Sequence, residues 1–214
     1  MKLVFVHGWG FDESLWRDLR AALPDFESDA VDLGFFGRPR SVKPNGEAVI
    51  AVGHSLGLLW LLHERPFPWR ALVSVSGIPR FTKSPDYRFG IGARVLDAMI
   101  ARFEKEPAAT LDDFIANCGV DARQPASADT KRLRDGLLWL KSWDARDQFA
   151  AERAPMLALY SRDDAIVPED LSTELFANRT GTVRAVESSG GHALPLTRTA
   201  WCADNIREFA RGLA

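Results

Sequence analysis

Gly53-His54-Ser55-Leu56-Gly57 follows the apolar run Ala48-Val49-Ile50-Ala51-Val52 and opens the apolar helical stretch Leu58-Leu59-Trp60-Leu61-Leu62. Strand, G-x-S-x-G, helix is the setting of a nucleophile elbow, in which a serine sits on a strained turn at the carboxyl end of a strand. The flanking glycines suit that turn because a Cβ is not tolerated so close to neighbouring backbone. Such a turn lifts the hydroxyl above the sheet and aims the N–H groups that follow it at the same spot. Ser55 is therefore read as a candidate nucleophile.

The surrounding pattern agrees with that reading. Short apolar or β-branched runs recur at 3–6, 30–33, 49–52, 71–75, 156–160 and 183–186. Helical patterns lie between most of them, at 13–23, 56–64, 169–176 and 200–213. Alternation of this kind predicts an α/β fold, a mostly parallel sheet of about six strands with helices on both faces. The stretch 79–146 breaks the alternation: 94–103, 111–117 and 131–141 read as short amphipathic helices separated by Pro and Gly. The core is accordingly expected in 1–78 and 147–214, with 79–146 inserted between two strands as a helical cap over the serine.

Length and composition bound the function. At 214 residues the chain is long enough for one well-buried core, and two domains would both be small. Its net charge of −2 gives it no electrostatic reason to bind nucleic acid or an anionic membrane. Cys118 and Cys202 lack the spacing of a zinc site or a disulfide framework, which fits a reducing, cytoplasmic setting with no metal. The apolar run at the start stops at His7-Gly8, too short for a signal peptide, and no run is long enough to span a membrane. Oligomeric state is not encoded legibly, and a monomer is the default expectation.

A serine hydroxyl is a poor nucleophile without a base within hydrogen-bond reach and a group that orients the base. Of the four histidines, His7 follows the first strand, His54 lies inside the elbow and His63 is on the helix behind it. Only His192, in Ser188-Ser189-Gly190-Gly191-His192-Ala193, occupies a small-residue loop after the last strand. The acid should come from the end of the preceding strand, where Ser161-Arg162-Asp163-Asp164-Ala165-Ile166-Val167-Pro168 supplies two aspartates. Asp164 is preferred for its D-x-x-V-P spacing, and Asp163 is the alternative. An oxyanion needs two preorganised N–H donors, one from the residue after the nucleophile (Leu56) and one from the loop after an early strand. His7-Gly8-Trp9-Gly10 is that loop, and the Trp9 N–H is the second candidate.

With these motifs in place the chain resembles the α/β-hydrolases over essentially its whole length, which implies an α/β-hydrolase fold. More narrowly it resembles the pimeloyl-[acyl-carrier-protein] methyl ester esterases of biotin synthesis. HGWGFDESLWRDL (7–19), VDLGFFGRPR (31–40), LVSVSGIPRF (72–81), LLWLKSWDAR (137–146) and MLALYSRDDAIVP (156–168) match that family in kind and order. The resemblance implies a carboxylesterase that needs no cofactor and frees a pimeloyl chain from its methyl ester while the chain remains on its carrier protein. Its roles carry over to Ser55 as nucleophile, His192 as base, Asp164 as orienter, and Trp9 and Leu56 as oxyanion donors. The family's cap presents cations to the acidic carrier, and here Arg80, Lys83, Arg88, Arg94 and Arg102 fall at the start of the cap. Against the family pattern, the first two strands and the helix before the elbow are expected to be missing, Leu58 stands where a glycine is frequent, and Ser161 replaces a glycine before the acid. A generic short-chain esterase, a thioesterase, a C–C hydrolase and a non-catalytic small-molecule sensor on the same fold are the alternatives.

Overall fold

The computed structural model describes residues 1–88, 90–121, 127–177 and 179–213. Its strands are β1 (Lys2–Val6), β2 (Glu27–Val31), β3 (Val49–His54), β4 (Ala71–Val75), β5 (Met156–Ser161) and β6 (Thr182–Glu187). They form one parallel sheet in the order β2-β1-β3-β4-β5-β6. Leu3 and Phe5 point to one face while Val4 and Val6 point to the other, and all four are fully buried. Strands covered on both faces read as unbroken apolar runs rather than alternating ones, which is why β1, β3 and β4 are legible in the sequence.

The chain leaves β1 for β2 on one side and returns to place β3 on the other side of β1. The carboxyl ends of β1 and β3 therefore flank a topological switch point, where open α/β sheets bind their ligands. His7-Gly8-Trp9 follows β1 and Ser55 follows β3, so both candidate motifs open onto this crevice.

One face is covered by α1 (Arg17–Ala21), α8 (Leu194–Thr197) and α9 (Thr199–Arg211), the other by α2 (Leu56–Glu64) and α7 (Glu169–Ala177). Between β4 and β5 lie α3 (Ala93–Lys105), α4 (Pro107–Asn117), α5 (Thr130–Ser142) and α6 (Arg146–Ala151), whose buried faces join the α2 side. Residues 89 and 122–126 of the span read as a cap lie outside the described residues. Several boundaries differ from the sequence reading. The single helix expected over 13–23 is a 3₁₀ turn, Glu13–Trp16, capped by the Asp12 carboxylate, followed by the short α1. The strand expected at 30–33 runs from Glu27 to Val31 because its polar first half is an edge, where Ser28 and Asp29 bind Arg20 and Arg40. Helices α6 and α8 have no counterpart in the sequence reading. Residues 32–48 carry no helix and are tied back by paired backbone bonds between Asp32 and Arg40.

Close packing at the switch point depends on Gly57. A Cβ there would lie 2.2 Å from the Val6 carbonyl oxygen, which is backbone and cannot yield. Gly57→Ala is expected to force α2 away from β1 and to cost about 3 kcal/mol or more. Gly37→Ala, where a Cβ meets nothing within 4 Å, is the control and should be close to neutral. Urea denaturation of the two variants checks this.

Candidate active site

Ser55 ends β3 and begins α2, and the change of direction is made at this one residue, with φ 52° and ψ −120°. A non-glycine residue in this region is strained by about 1–3 kcal/mol and persists only where its surroundings hold it. Here the Ser55 N–H donates to the Val75 carbonyl across the sheet at 2.9 Å. From above, Gly8 lies so close that a Cβ on it would be 3.0 Å from the Ser55 Cβ and 2.8 Å from His54 Nδ1. The Ser55 hydroxyl makes no hydrogen bond among the described residues.

His192 and Asp164 meet as a fully buried pair. His192 Nδ1–H donates to Asp164 Oδ2 at 2.8 Å, and both side chains have zero exposure. The other carboxylate oxygen, Oδ1, accepts the N–H groups of Ile166 and Val167, each at 2.8 Å. With Nδ1 as the donor, His192 Nε2 is an acceptor, and it is buried with no partner. Asp163 acts on the backbone instead. It accepts the Gly190 and Gly191 N–H groups at 3.1 and 2.8 Å, and the Ser161 hydroxyl also donates to it. That hydroxyl, with the two backbone donors, holds the Asp163 carboxyl below the usual range. Adjacent aspartates thus fasten the same loop, one through its backbone and one through its imidazole.

The loop carrying His192 is also fastened to α4. The Cys118 carbonyl, just past the helix end, accepts the N–H groups of His192 at 3.1 Å and Ala193 at 3.2 Å. Burial, reinforced by the Asp164 charge, pushes the Cys118 thiol far up, so it stays protonated beside the pair. A backbone acceptor such as this leaves no side-chain signature, so no sequence pattern could have pointed to it.

Trp9 and Leu56 are both buried, and neither backbone N–H has an acceptor among the described residues. Orphaned buried N–H groups are rare in folded proteins. Two of them flank the elbow here, because Gly57 of α2 packs on the Val6 and His7 carbonyls. The Trp9 ring turns away into the helices between β4 and β5. Its Nε1–H donates to the Leu133 carbonyl at 2.7 Å, and its edge contacts are Phe103 and Phe114. His7 supports the loop, with Nε2 accepting from Leu33 N–H and Nδ1 donating to the Gly8 carbonyl, both at 2.9 Å. Beside this loop a groove of about 260 Å³ is lined by apolar residues such as Phe11, Ile115 and Leu196 and by the charged Asp12, Arg17 and Asp121.

Arg80 is committed to Asp144 and to the Thr82 carbonyl, and Arg102 is paired with Asp113 and Glu106. Lys83, Arg88 and Arg94 are exposed, and Lys83 and Arg94 have no ion-pair partner among the described residues. Nearby acids are already matched: Asp86 by Arg146, Asp97 by Lys141 and Glu104 by Arg134. No helix among the described residues is long and apolar enough to cross a membrane.

Comparison with known proteins gives the same picture. No protein-family model matches the chain. A pimeloyl-[acyl-carrier protein] methyl ester esterase of Vibrio parahaemolyticus is 27% identical, with 98% of this chain and 94% of the relative aligned. The protein of the same name from Legionella pneumophila is 29% identical over 78% of this chain and 77% of its own length. Among solved structures, an esterase from Exiguobacterium antarcticum superposes with a TM-score of 0.83 at 17% identity, covering 99% of this chain and 92% of that one. A bromoperoxidase from Bacillus anthracis reaches 0.84 at 18% identity, covering 98% and 91%. Sheet order, switch-point crevice and structural likeness make this chain an α/β-hydrolase in fold, similar in sequence to the pimeloyl-[acyl-carrier protein] methyl ester esterases.

Proposed function

We propose that this chain is a serine carboxylesterase whose substrate is the methyl ester of a pimeloyl chain carried on acyl carrier protein. The observation that carries the reading is the buried His192 Nε2, left without a partner while Asp164 holds the opposite side of the ring. An imidazole so arranged is a base with one defined proton-accepting atom. Ser55 Oγ attacks the ester carbonyl carbon and its proton passes to Nε2; this hydrogen bond closes in the substrate complex, as such bonds commonly do. The N–H groups of Trp9 and Leu56 receive the oxyanion. Collapse of the tetrahedral intermediate breaks the bond to the alkoxy oxygen, which leaves as methanol with the proton from His192. A water then gives its proton to the same nitrogen and attacks the acyl-enzyme, releasing the free carboxylate and restoring Ser55.

Support for the carrier-bound substrate comes from the relatives' names and from the exposed cations Lys83 and Arg94, which have no ion-pair partner among the described residues. Arg80 and Arg102 contribute less, because acidic neighbours already offset their charge.

The test supplies methyl-pimeloyl carrier protein and p-nitrophenyl butyrate, and in parallel labels the protein with a fluorophosphonate. Turnover of both esters, with one label per chain mapped to Ser55, is expected. Turnover of the simple ester alone would remove the carrier-bound substrate and leave a general esterase. No turnover and no label would overturn the esterase reading in favour of a ligand sensor.

A further inference from the structure

His54 is another fully buried imidazole beside His192, and the reaction just described gives it no role. Its ring centre lies 5.0 Å from that of His192, and the rings of Phe11 and Trp16 meet it edge to face with centres 5.4 and 6.3 Å away. Nε2 is 3.1 Å from the His192 carbonyl oxygen. A carbonyl only accepts, so the proton is on Nε2, and the neutral ring leaves Nδ1 bare. Nδ1 is buried against Gly8 with no partner. A second proton there would be a buried donor with no acceptor. Burial first, then the neighbouring His192 and His7, push the ring well below the ordinary histidine range. His54 is thus a fixed, uncharged donor and not a second base.

Three bonds anchor His192. Asp164 fixes the rotation of its ring, and the Cys118 carbonyl ties its backbone N–H to the end of α4. The third, from His54, ties its carbonyl to the residue immediately before Ser55. Of the three, only this one ends a single peptide bond away from the nucleophile. A catalytic pair must be held to within ~0.5 Å of its working geometry, and a misplacement of ~1 Å can cost ~10²-fold in rate. Resting on the reading of Ser55 and His192 as nucleophile and base, we propose that His54 is a positioning residue whose Nε2–H holds the His192 carbonyl and thereby sets the spacing between base and nucleophile.

Three variants separate this role from simple packing. His54→Leu keeps the volume and removes the donor, His54→Gln carries an amide N–H at nearly the reach of Nε2, and His54→Asn carries one too short to arrive. We expect kcat to fall about 10²-fold in the leucine and asparagine variants with KM little changed. Glutamine should restore kcat to within about 10-fold of the parent. A folded leucine variant with parental kcat would overturn the proposal. So would glutamine and asparagine variants of equal kcat, a comparison that remains decisive if leucine does not fold.

Imidazole ¹H–¹⁵N spectra give a readout independent of ester turnover. His54 should carry its proton on Nε2 and be uncharged at neutral pH, and the His192 signals should shift in the leucine variant. A proton on Nδ1 of His54 or unmoved His192 signals would overturn the proposal. If the parent hydrolyses no ester, the esterase reading falls and these spectra still decide the clamp.

Discussion

Ser55→Ala is expected to lower kcat for an ester by about 10⁶-fold while leaving the melting temperature unchanged. The two halves of that result have separate causes. Loss of rate follows because His192 would have no hydroxyl proton to accept and no covalent intermediate could form. What survives, ~10³–10⁴ over water, is owed to the oxyanion donors and to binding. Stability is spared because the hydroxyl makes no hydrogen bond among the described residues, so its removal leaves no polar group newly unpaired. The strain at φ 52° comes from the Cβ, which alanine retains. Ser55→Gly removes that Cβ and should be at least as stable as the parent, though equally inactive, since relief of the strain outweighs the added freedom of the unfolded chain. A serine kept for folding would show the reverse order. Turnover of p-nitrophenyl butyrate and thermal melts of the three proteins check both halves, and an alanine variant of near-parental rate would rule out Ser55 as nucleophile.

The parts of this fold that are readable from sequence are those where one physical requirement dominates locally. Buried parallel strands must be apolar on both faces, so β1, β3, β4 and β5 stand out as short unbroken runs. The turn at Ser55 demands glycine on either side, so α2 is placed from its first residue to its last. Where two requirements compete, the pattern blurs. Strand β2 is an edge whose Glu27 pairs with Lys2 and whose Ser28 and Asp29 serve arginine partners, which hides half of it from an apolar count. Within the site the same distinction holds. Side chains that do chemistry have a type and an order, and Ser55, Asp164 and His192 can be nominated from these alone. Groups that hold the chemistry in place do not. The His54 bond to His192 spans 138 residues, and the Cys118 carbonyl belongs to no motif. Asp163 and Asp164 are hard to separate because both fasten the same loop, and only the partner of each distinguishes them.

That division of labour makes Asp164→Asn a sharper test than removal of the side chain. Asparagine would keep the shape of the aspartate, and the direction of its amide is set by the backbone. The Ile166 and Val167 N–H groups both donate to the position of Oδ1, so the amide oxygen must face them. The NH₂ group then takes the place of Oδ2, 2.8 Å from His192 Nδ1. A donor in that position forces Nδ1 to become the acceptor and moves the ring proton to Nε2, the atom that receives the proton of Ser55 in the proposed reaction. The base is thereby present, correctly placed and in the wrong tautomer. The expected result is a fall in kcat of about 10⁴-fold with KM nearly unchanged. The Asp163→Asn variant should differ in kind. It loosens the Gly190–Gly191 backbone without altering the tautomer, so its loss should be partial and accompanied by a lower melting temperature. Steady-state kinetics with imidazole ¹⁵N spectra of both variants decide the matter: a His192 proton still on Nδ1 in Asp164→Asn would mean that this carboxylate does not set the tautomer.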